Sequence, residues 1–167
     1  PVVFDTSVYI PYLRGEAYAA LIERAMHAGR VRLSAVVLGE LYAGTRSQQD
    51  KVDLDVVTRV YQSLGYLVAP SLNDWVRAGQ GIRRHRQLYG SVKPREHLND
   101  ILILLSGAAA AAVVVTENAK PFARWAALLR RIGAQPFQSD LVIRNLIFAD
   151  DQGPIGPARV GALQLIL

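Results

Sequence analysis

Three acidic residues stand in apolar stretches of this chain, where a carboxylate is costly. Asp5 ends the apolar run of residues 2–4, Glu40 interrupts the run AVVLGELYA, and Asp100 directly precedes the run ILILL. Removing an ionised carboxylate from water is strongly unfavourable unless the charge is paired or neutralised. If the three side chains meet in the folded protein, their oxygens form a site for a hard divalent cation, which prefers oxygen ligands.

Each acid also has a purely structural interpretation. Asp5 is placed to cap the helix that follows it, and Asn99 with Asp100 is placed to cap a later helix. Glu40 has no basic residue at helical spacing before it, although an Arg brought near by the fold would pair with it. The occurrence of all three acids in such surroundings, more than any one of them, favours a metal site.

Composition favours a single soluble domain. A chain of 167 residues with 51% apolar residues is long enough to bury one core. Cysteine is absent, which excludes disulfides, thiolate metal sites and thiol catalysis and suits a cytoplasmic protein. The N-terminus lacks the features of a secretory signal, and we expect that an initiator Met has been removed. The apolar run 101–115 is short for a bilayer span, so we expect no membrane association.

Positive charge is concentrated in one segment of the chain. The net charge is +5 and the pI is about 9.8. The basic residues that we expect to contact the phosphates of a polyanion are Arg83, Arg84, Arg86, Lys93 and Arg95. Such a surface attracts polyanions, whereas the alternative is an ordinary solvated helix face. The contrast between buried acids and a basic surface favours the polyanion, because metal ions bridge acids and phosphates.

Short β-like runs alternate with longer helical patterns, which predicts βαβ units and a parallel sheet. The predicted strands are residues 2–5, 31–34, 66–69, 112–115 and 134–137. The predicted helices are 8–13 with 18–28, 35–43, 51–64, 72–88, 98–111 and 122–131. Ser34 and Ser71 are predicted N-caps, and Gly65, Gly90 and Gly133 are predicted helix stops.

Several polar residues are predicted at one edge of this sheet. In open α/β sheets the functional crevice lies beyond the carboxyl ends of the strands. Asp5 ends the first predicted strand, and Thr116, Glu117 and Asn118 follow the fourth. Residues 1–138 are predicted to form the domain, and 139–167 an extension of unclear role that packs on the domain or on a dimer.

Four segments together resemble the PIN-domain ribonucleases, specifically the VapC-like toxins of toxin–antitoxin pairs. They are VVFDTSVYI (2–10), LSAVVLGELYAG (33–44), LNDILI (98–103) and VVTENAKPF (114–122). The resemblance implies a three-layer α/β/α sandwich around a parallel sheet of about five strands. It also implies RNA cleavage that depends on Mg²⁺ or Mn²⁺, a cognate antitoxin and a homodimer.

Transferred residue by residue, the resemblance assigns catalytic roles to Asp5, Glu40, Asp100 and Asn118. Asp5 and Asp100 are the candidate metal ligands, and Glu40 binds through water or orients the nucleophile. Ser7 and Thr116 have supporting roles. Asn118 stands where the family pattern has an acid, which removes one negative charge and favours a single metal ion.

The rival hypothesis is that the chain has the same fold but weakened catalytic activity. With Asn118 in place of the fourth acid, the chain would be a catalytically weakened RNA- or protein-binding module. In either case Tyr89 is available to stack on an unpaired base beside the basic segment. The sequence alone leaves the target RNA open.

Overall fold

A computed structural model describes residues 1–132 and the two strand residues 143 and 144. The strands are β1 (Val2–Phe4), β2 (Leu33–Ser34), β3 (Leu67–Val68), β4 (Val113–Val115) and β5 (Ile143–Arg144). The helices are α1 (Thr6–Leu13), α2 (Ala19–His27), α3 (Ala35–Ala43), α4 (Gln48–Ser63), α5 (Leu72–Tyr89), α6 (Leu98–Ala109) and α7 (Ala119–Ile132). A 3-10 turn, Pro94–Glu96, precedes α6. The predicted alternation of strands and helices is confirmed.

All the described strand pairs are parallel. β1 pairs with β4, β4 with β5, and β2 with β3. A parallel bridge between Val2 and Val31 joins the two groups of strands, which gives the spatial order β3-β2-β1-β4-β5. The fold is therefore an α/β sandwich on a parallel sheet, as predicted. The strand order reverses between β1 and β4, the position at which such sheets place their functional crevice.

The described part of the sheet includes one strand that was not predicted. This strand, β5, lies at Ile143–Arg144, with Ile143 opposite Val114, inside the segment 139–167 that was predicted as an extension. This part of the segment thus joins the sheet beside β4. The predicted strand 134–137 and the predicted helix stop Gly133 lie outside the described residues.

Several helix ends follow from local hydrogen-bonding chemistry. The side chain of Ser34 accepts from the backbone of the first turn of α3, and Ser71 forms a capping box with Asp74 at the start of α5. Gly65 and Gly90 follow α4 and α5 with φ angles of 67° and 90°, which side chains other than glycine rarely adopt. These four predicted boundaries are confirmed.

Helix α6 lies at the centre of the core. Residues 101–107 are all buried, and α6 contacts β4 on one side and α5 and α7 on the others. The apolar run 101–115 is thus a buried helix and the strand that follows it, as predicted. Within residues 1–132, no helix combines the length and the apolar character that spanning a bilayer requires.

Gly107 determines how closely α6 approaches the sheet. A Cβ atom at this position would overlap the side chain of Val114 in β4. We expect Gly107→Ala to lower the free energy of unfolding by about 1–3 kcal/mol, the usual cost of overpacking a core. Chemical denaturation of the purified variant measures this change.

Gly79 provides the matched control. It also lies in a helix, α5, but nothing lies within 4 Å of a Cβ built there. Gly79→Ala should therefore stabilise the protein by up to about 1 kcal/mol, through helix propensity alone. Adding Val114→Ala to Gly107→Ala should recover part of the loss if the overlap is the cause. A stable Gly107→Ala variant would show that α6 does not pack this tightly.

Candidate active site

The candidate site lies at the carboxyl edge of the two central strands. Asp5 directly follows β1, and its backbone N–H donates to the carbonyl oxygen of Val115, the last residue of β4, at 2.9 Å. Thr116 directly follows β4 and is fully buried. Because β1 and β4 are parallel neighbours, their ends bring Asp5 and Thr116 together, as predicted.

Hydroxyl groups hold the Asp5 carboxylate, which is only 3% exposed. Oδ2 accepts from Ser7 Oγ at 2.7 Å and from Thr116 Oγ1 at 2.9 Å. Oδ1 has a longer contact, 3.3 Å, with Thr6 Oγ1. Asp5 occupies the N-cap position of α1, but its side chain makes no capping hydrogen bond. The side chain is oriented towards the crevice network instead, so the capping interpretation is wrong.

Glu40 of α3 reaches the same network. Its Oε2 accepts from Thr6 Oγ1 at 2.9 Å, and its Oε1 accepts from Asn99 Nδ2 at 2.7 Å. Thr6 thus lies between the carboxylates of Asp5 and Glu40. In the part of the chain that the structure describes, the ion pairs do not include Glu40, so the alternative of a neutralising Arg receives no support.

Asp100 completes the acidic cluster, by which we mean Asp5, Glu40 and Asp100. The pKa of Asp100 is raised to about 6, chiefly by partial burial and then by the negative charges of Asp5 and Glu40. Helix α6 begins at Leu98 with His97 as its N-cap residue, so Asn99 and Asp100 lie inside the first turn. The predicted start of this helix at Leu98 is confirmed, and the alternative interpretation that Asn99 and Asp100 cap it is wrong, because His97 holds the N-cap position.

The donor set of the acidic cluster suits a hard divalent cation. Its three carboxylates repel one another, and within residues 1–132 and 143–144 no Lys or Arg forms an ion pair with them. No three Asp, Glu or His side chains in these residues are close enough to hold one ion together directly. The carboxylate oxygens of the cluster are of the kind that hard divalent cations prefer as ligands.

The turn after β4 extends this network. Thr116 Oγ1 accepts from the backbone N–H of Asn118 at 3.0 Å, and Ser7 Oγ accepts from the backbone N–H of Glu117 at 3.1 Å. Both side chains of the turn are exposed. The Glu117 carboxylate accepts a hydrogen bond from the hydroxyl of Tyr18. Asn118 thus lies at the edge of the site. The carboxylate of Glu117 lies at the same rim, where Tyr18 binds it.

Sequence reasoning missed Thr6, Asn99 and Tyr18. Thr6 and Asn99 are direct sequence neighbours of predicted site residues, and this position was the signal that could have identified them. Tyr18 has no such signal, because it lies 99 residues from Glu117 along the chain.

The predicted RNA-contacting residues lie on the surface of α5 and of the segment that follows it. The exposed residues are Arg83, Arg84, Arg86, Lys93 and Arg95. Lys93 pairs with Glu96 at 2.9 Å, which reduces the charge that it presents. Tyr89 is 61% exposed, and its ring lies 5.0 Å from that of the buried His85. Because this segment leads directly into α6, the basic surface adjoins the helix that carries Asp100.

The family model of the PIN domain matches residues 2–128. This chain belongs to the PIN-domain family. The match covers most of the described residues, including every member of the acidic cluster and the turn after β4. PIN domains are in general nucleases that act on nucleic acids and bind divalent metals. No curated protein matches the chain significantly.

Membership of the PIN family gives the geometry a chemical setting. The acidic cluster lies at the strand edge where this PIN domain brings β1, α3 and α6 together, and it lacks a basic partner in the described residues. In a nuclease that uses a metal ion, the cation lies between carboxylates and the substrate phosphate and stabilises the charge on the phosphate. The acidic cluster is a group of carboxylates of this kind.

Proposed function

We propose that this PIN domain is an endoribonuclease that hydrolyses RNA phosphodiester bonds with Mg²⁺ or Mn²⁺. The observation that carries the proposal is the convergence of Asp5, Glu40 and Asp100: partial burial, and then the negative charges of Asp5 and Glu40, raise the pKa of Asp100 to about 6. Half-buried like charges without a basic partner are unfavourable unless a cation binds among them. In a nuclease fold, a cation bound there would contact the substrate phosphate.

The hydrogen bonds support different roles for the three acids. Asp5 Oδ2 is occupied by two short hydroxyl contacts, so Oδ1, with one longer contact, is the oxygen that would hold the ion. Hydrogen bonds from the described residues do not reach the Asp100 carboxylate, which leaves its oxygens available as ligands. When bound, a divalent ion supplies stabilisation of the charge on the phosphate and activation of the attacking water.

Glu40 is better suited to a supporting role. Both of its oxygens already accept short hydrogen bonds, from Thr6 and Asn99. It would contact a water of the ion or orient the attacking water rather than bind the metal directly. Ser7 and Thr116 fix the carboxylate of Asp5, and Asn118 contributes an uncharged polar side chain at the edge. With three acids rather than four, the site suits one ion.

The exposed basic residues of α5 and the following segment would bind the RNA backbone. Arg83, Arg84 and Arg86 carry no ion pair in the described residues, so their charges are available for phosphates. Tyr89 offers an exposed ring for stacking on an unpaired base. We further propose, on the four family-like segments, that the protein is a VapC-like toxin that forms a homodimer and is blocked by a cognate antitoxin.

Cleavage of structured RNA by the purified protein tests the proposal. Cleavage should occur with Mg²⁺ or Mn²⁺ and stop when EDTA removes the ion, because the carboxylates alone cannot neutralise the phosphate. Restoring the ion should restore the activity, which distinguishes loss of metal from loss of fold. Cleavage that continues at full rate in excess EDTA would contradict the proposed chemistry.

The neutral side chain at Asn118 favours one second candidate, a PIN-fold RNA-binding module with weakened catalysis. A protein of this kind would bind RNA in EDTA as tightly as in Mg²⁺ without cutting it. Its affinity would fall with salt and with Arg83→Gln and Arg84→Gln substitutions, because phosphate contacts dominate such binding. Mg²⁺-dependent cleavage by the wild type would exclude this candidate.

A further inference from the structure

Tyr18 and Glu117 form a contact at the rim of the acidic cluster that joins two distant parts of the chain. Tyr18 lies between α1 and α2, and Glu117 lies in the turn after β4. The tyrosine hydroxyl donates to Glu117 Oε1. Tyr18 has a left-handed backbone, with φ of 69° and ψ of 5°, which is unfavourable for a residue with a side chain. The loop thus presents this ring at some conformational cost.

The backbone of Glu117 is anchored within the network of the acidic cluster. Its N–H donates to Ser7 Oγ, which itself donates to Asp5 at 2.7 Å. The backbone of Glu117 is thus tied to the residue that holds Asp5, while its carboxylate accepts a hydrogen bond from the Tyr18 hydroxyl at the rim.

We infer that Tyr18 is a positioning residue that holds Glu117 outside the acidic cluster, so that the site offers three carboxylates to a divalent cation. This inference rests on the proposed cation site. Without the Tyr18 hydroxyl, Glu117 loses its rim partner, and its side chain turns towards a bound cation. The neighbouring Asn118 cannot supply that charge, so Tyr18 sets the charge of the site.

Mn²⁺ binding to the full chain, measured by calorimetry, tests the inference without using activity. Tyr18→Phe removes one hydroxyl from a half-exposed ring and leaves the ring in place. We expect it to bind Mn²⁺ roughly three- to tenfold more tightly than the wild type, because cation affinity rises with ligand charge. In the double variant Tyr18→Phe/Glu117→Gln, the affinity should return to that of Glu117→Gln alone, since the released side chain is then neutral.

Tyr12→Phe is the matched control. Its hydroxyl is buried in α1 and has no hydrogen-bond partner among the described residues, so its removal should leave Mn²⁺ affinity unchanged. Wild-type affinity in Tyr18→Phe would overturn the inference. An equal shift in Tyr18→Phe and in the double variant would also overturn it, because the effect would then come from packing and not from Glu117.

Asp5→Asn separates this inference from the proposed function. If Asp5→Asn binds Mn²⁺ as well as the wild type, the ion does not bind at the acidic cluster and the proposed function fails. If Asp5→Asn loses binding while Tyr18→Phe matches the wild type, the cation site stands and only the role of Tyr18 is refuted.

Discussion

Asp5→Asn should reduce metal-dependent RNA cleavage by more than about 100-fold. Loss of groups that merely orient a metal ligand commonly costs about 10–100-fold, and this change removes the charge of a ligand itself. Asp5 is the most buried member of the acidic cluster, at 3% exposed, and other side chains cannot easily replace it. The rate of cleavage of one labelled RNA at saturating Mg²⁺ measures the effect.

The same variant should keep its fold. An amide oxygen in place of Oδ2 still accepts from Ser7 and Thr116, and an amide nitrogen in place of Oδ1 can donate to Thr6 Oγ1. The midpoint of thermal unfolding should therefore stay unchanged or rise, because one of three repelling charges is lost. Asp53→Asn is the matched control: Asp53 accepts from Gln49 on α4, outside the cluster. Equal cleavage by the wild type and Asp5→Asn would refute the assigned role.

Asp100→Asn should change how the stability of the metal-free protein depends on pH. The pKa of Asp100 is raised to about 6, above its ordinary value of 3.8, so the folded state binds this proton more tightly than the unfolded state. The free energy of unfolding should therefore fall as the pH rises from about 4 to about 6, and then level off. Allowing for solvent screening of a half-exposed group, we expect a fall of about 1–2 kcal/mol.

Denaturant unfolding of the wild type and Asp100→Asn across this pH range measures the contribution. Other acids titrate in the same range, so the informative quantity is the difference between the two proteins. Asp100→Asn should be the more stable above pH 6, and Mg²⁺ should stabilise the wild type far more than the variant. Asp53→Asn should follow the wild-type profile. Parallel profiles for the wild type and Asp100→Asn would show that neither burial nor the other two acids raises the pKa of Asp100.

The sheet and the acids could be predicted because each leaves a local signal. Short apolar runs between helical patterns give β1 to β4, and a carboxylate beside such a run needs a specific reason to be there. Asp5 and Thr116 follow neighbouring parallel strands, so topology alone places them at one edge. Asp100 and Glu40 lie on different helices, and only the fold shows that their charges meet.

The remaining features depend on tertiary placement. Local chemistry makes Asn99 a good cap, but Asn99 lies inside the first turn of α6, and its side chain donates to Glu40. The partner of Glu117 is Tyr18, whose position depends on how the loop before α2 folds. The strand β5 lies in the segment 139–167, where the sequence pattern predicted no strand, and only its pairing with β4 reveals it.

Diffraction from crystals soaked in Mn²⁺, with anomalous data collected at the manganese edge, tests the metal site most directly. We expect one peak next to Asp5 Oδ1 and within ligand distance of Asp100, with Glu40 contacting it through water. A single ion at this position would agree with a site that has three acids rather than four. A peak elsewhere, or none at the acidic cluster at saturating Mn²⁺, would contradict the assignment of Asp5, Glu40 and Asp100 as a metal site.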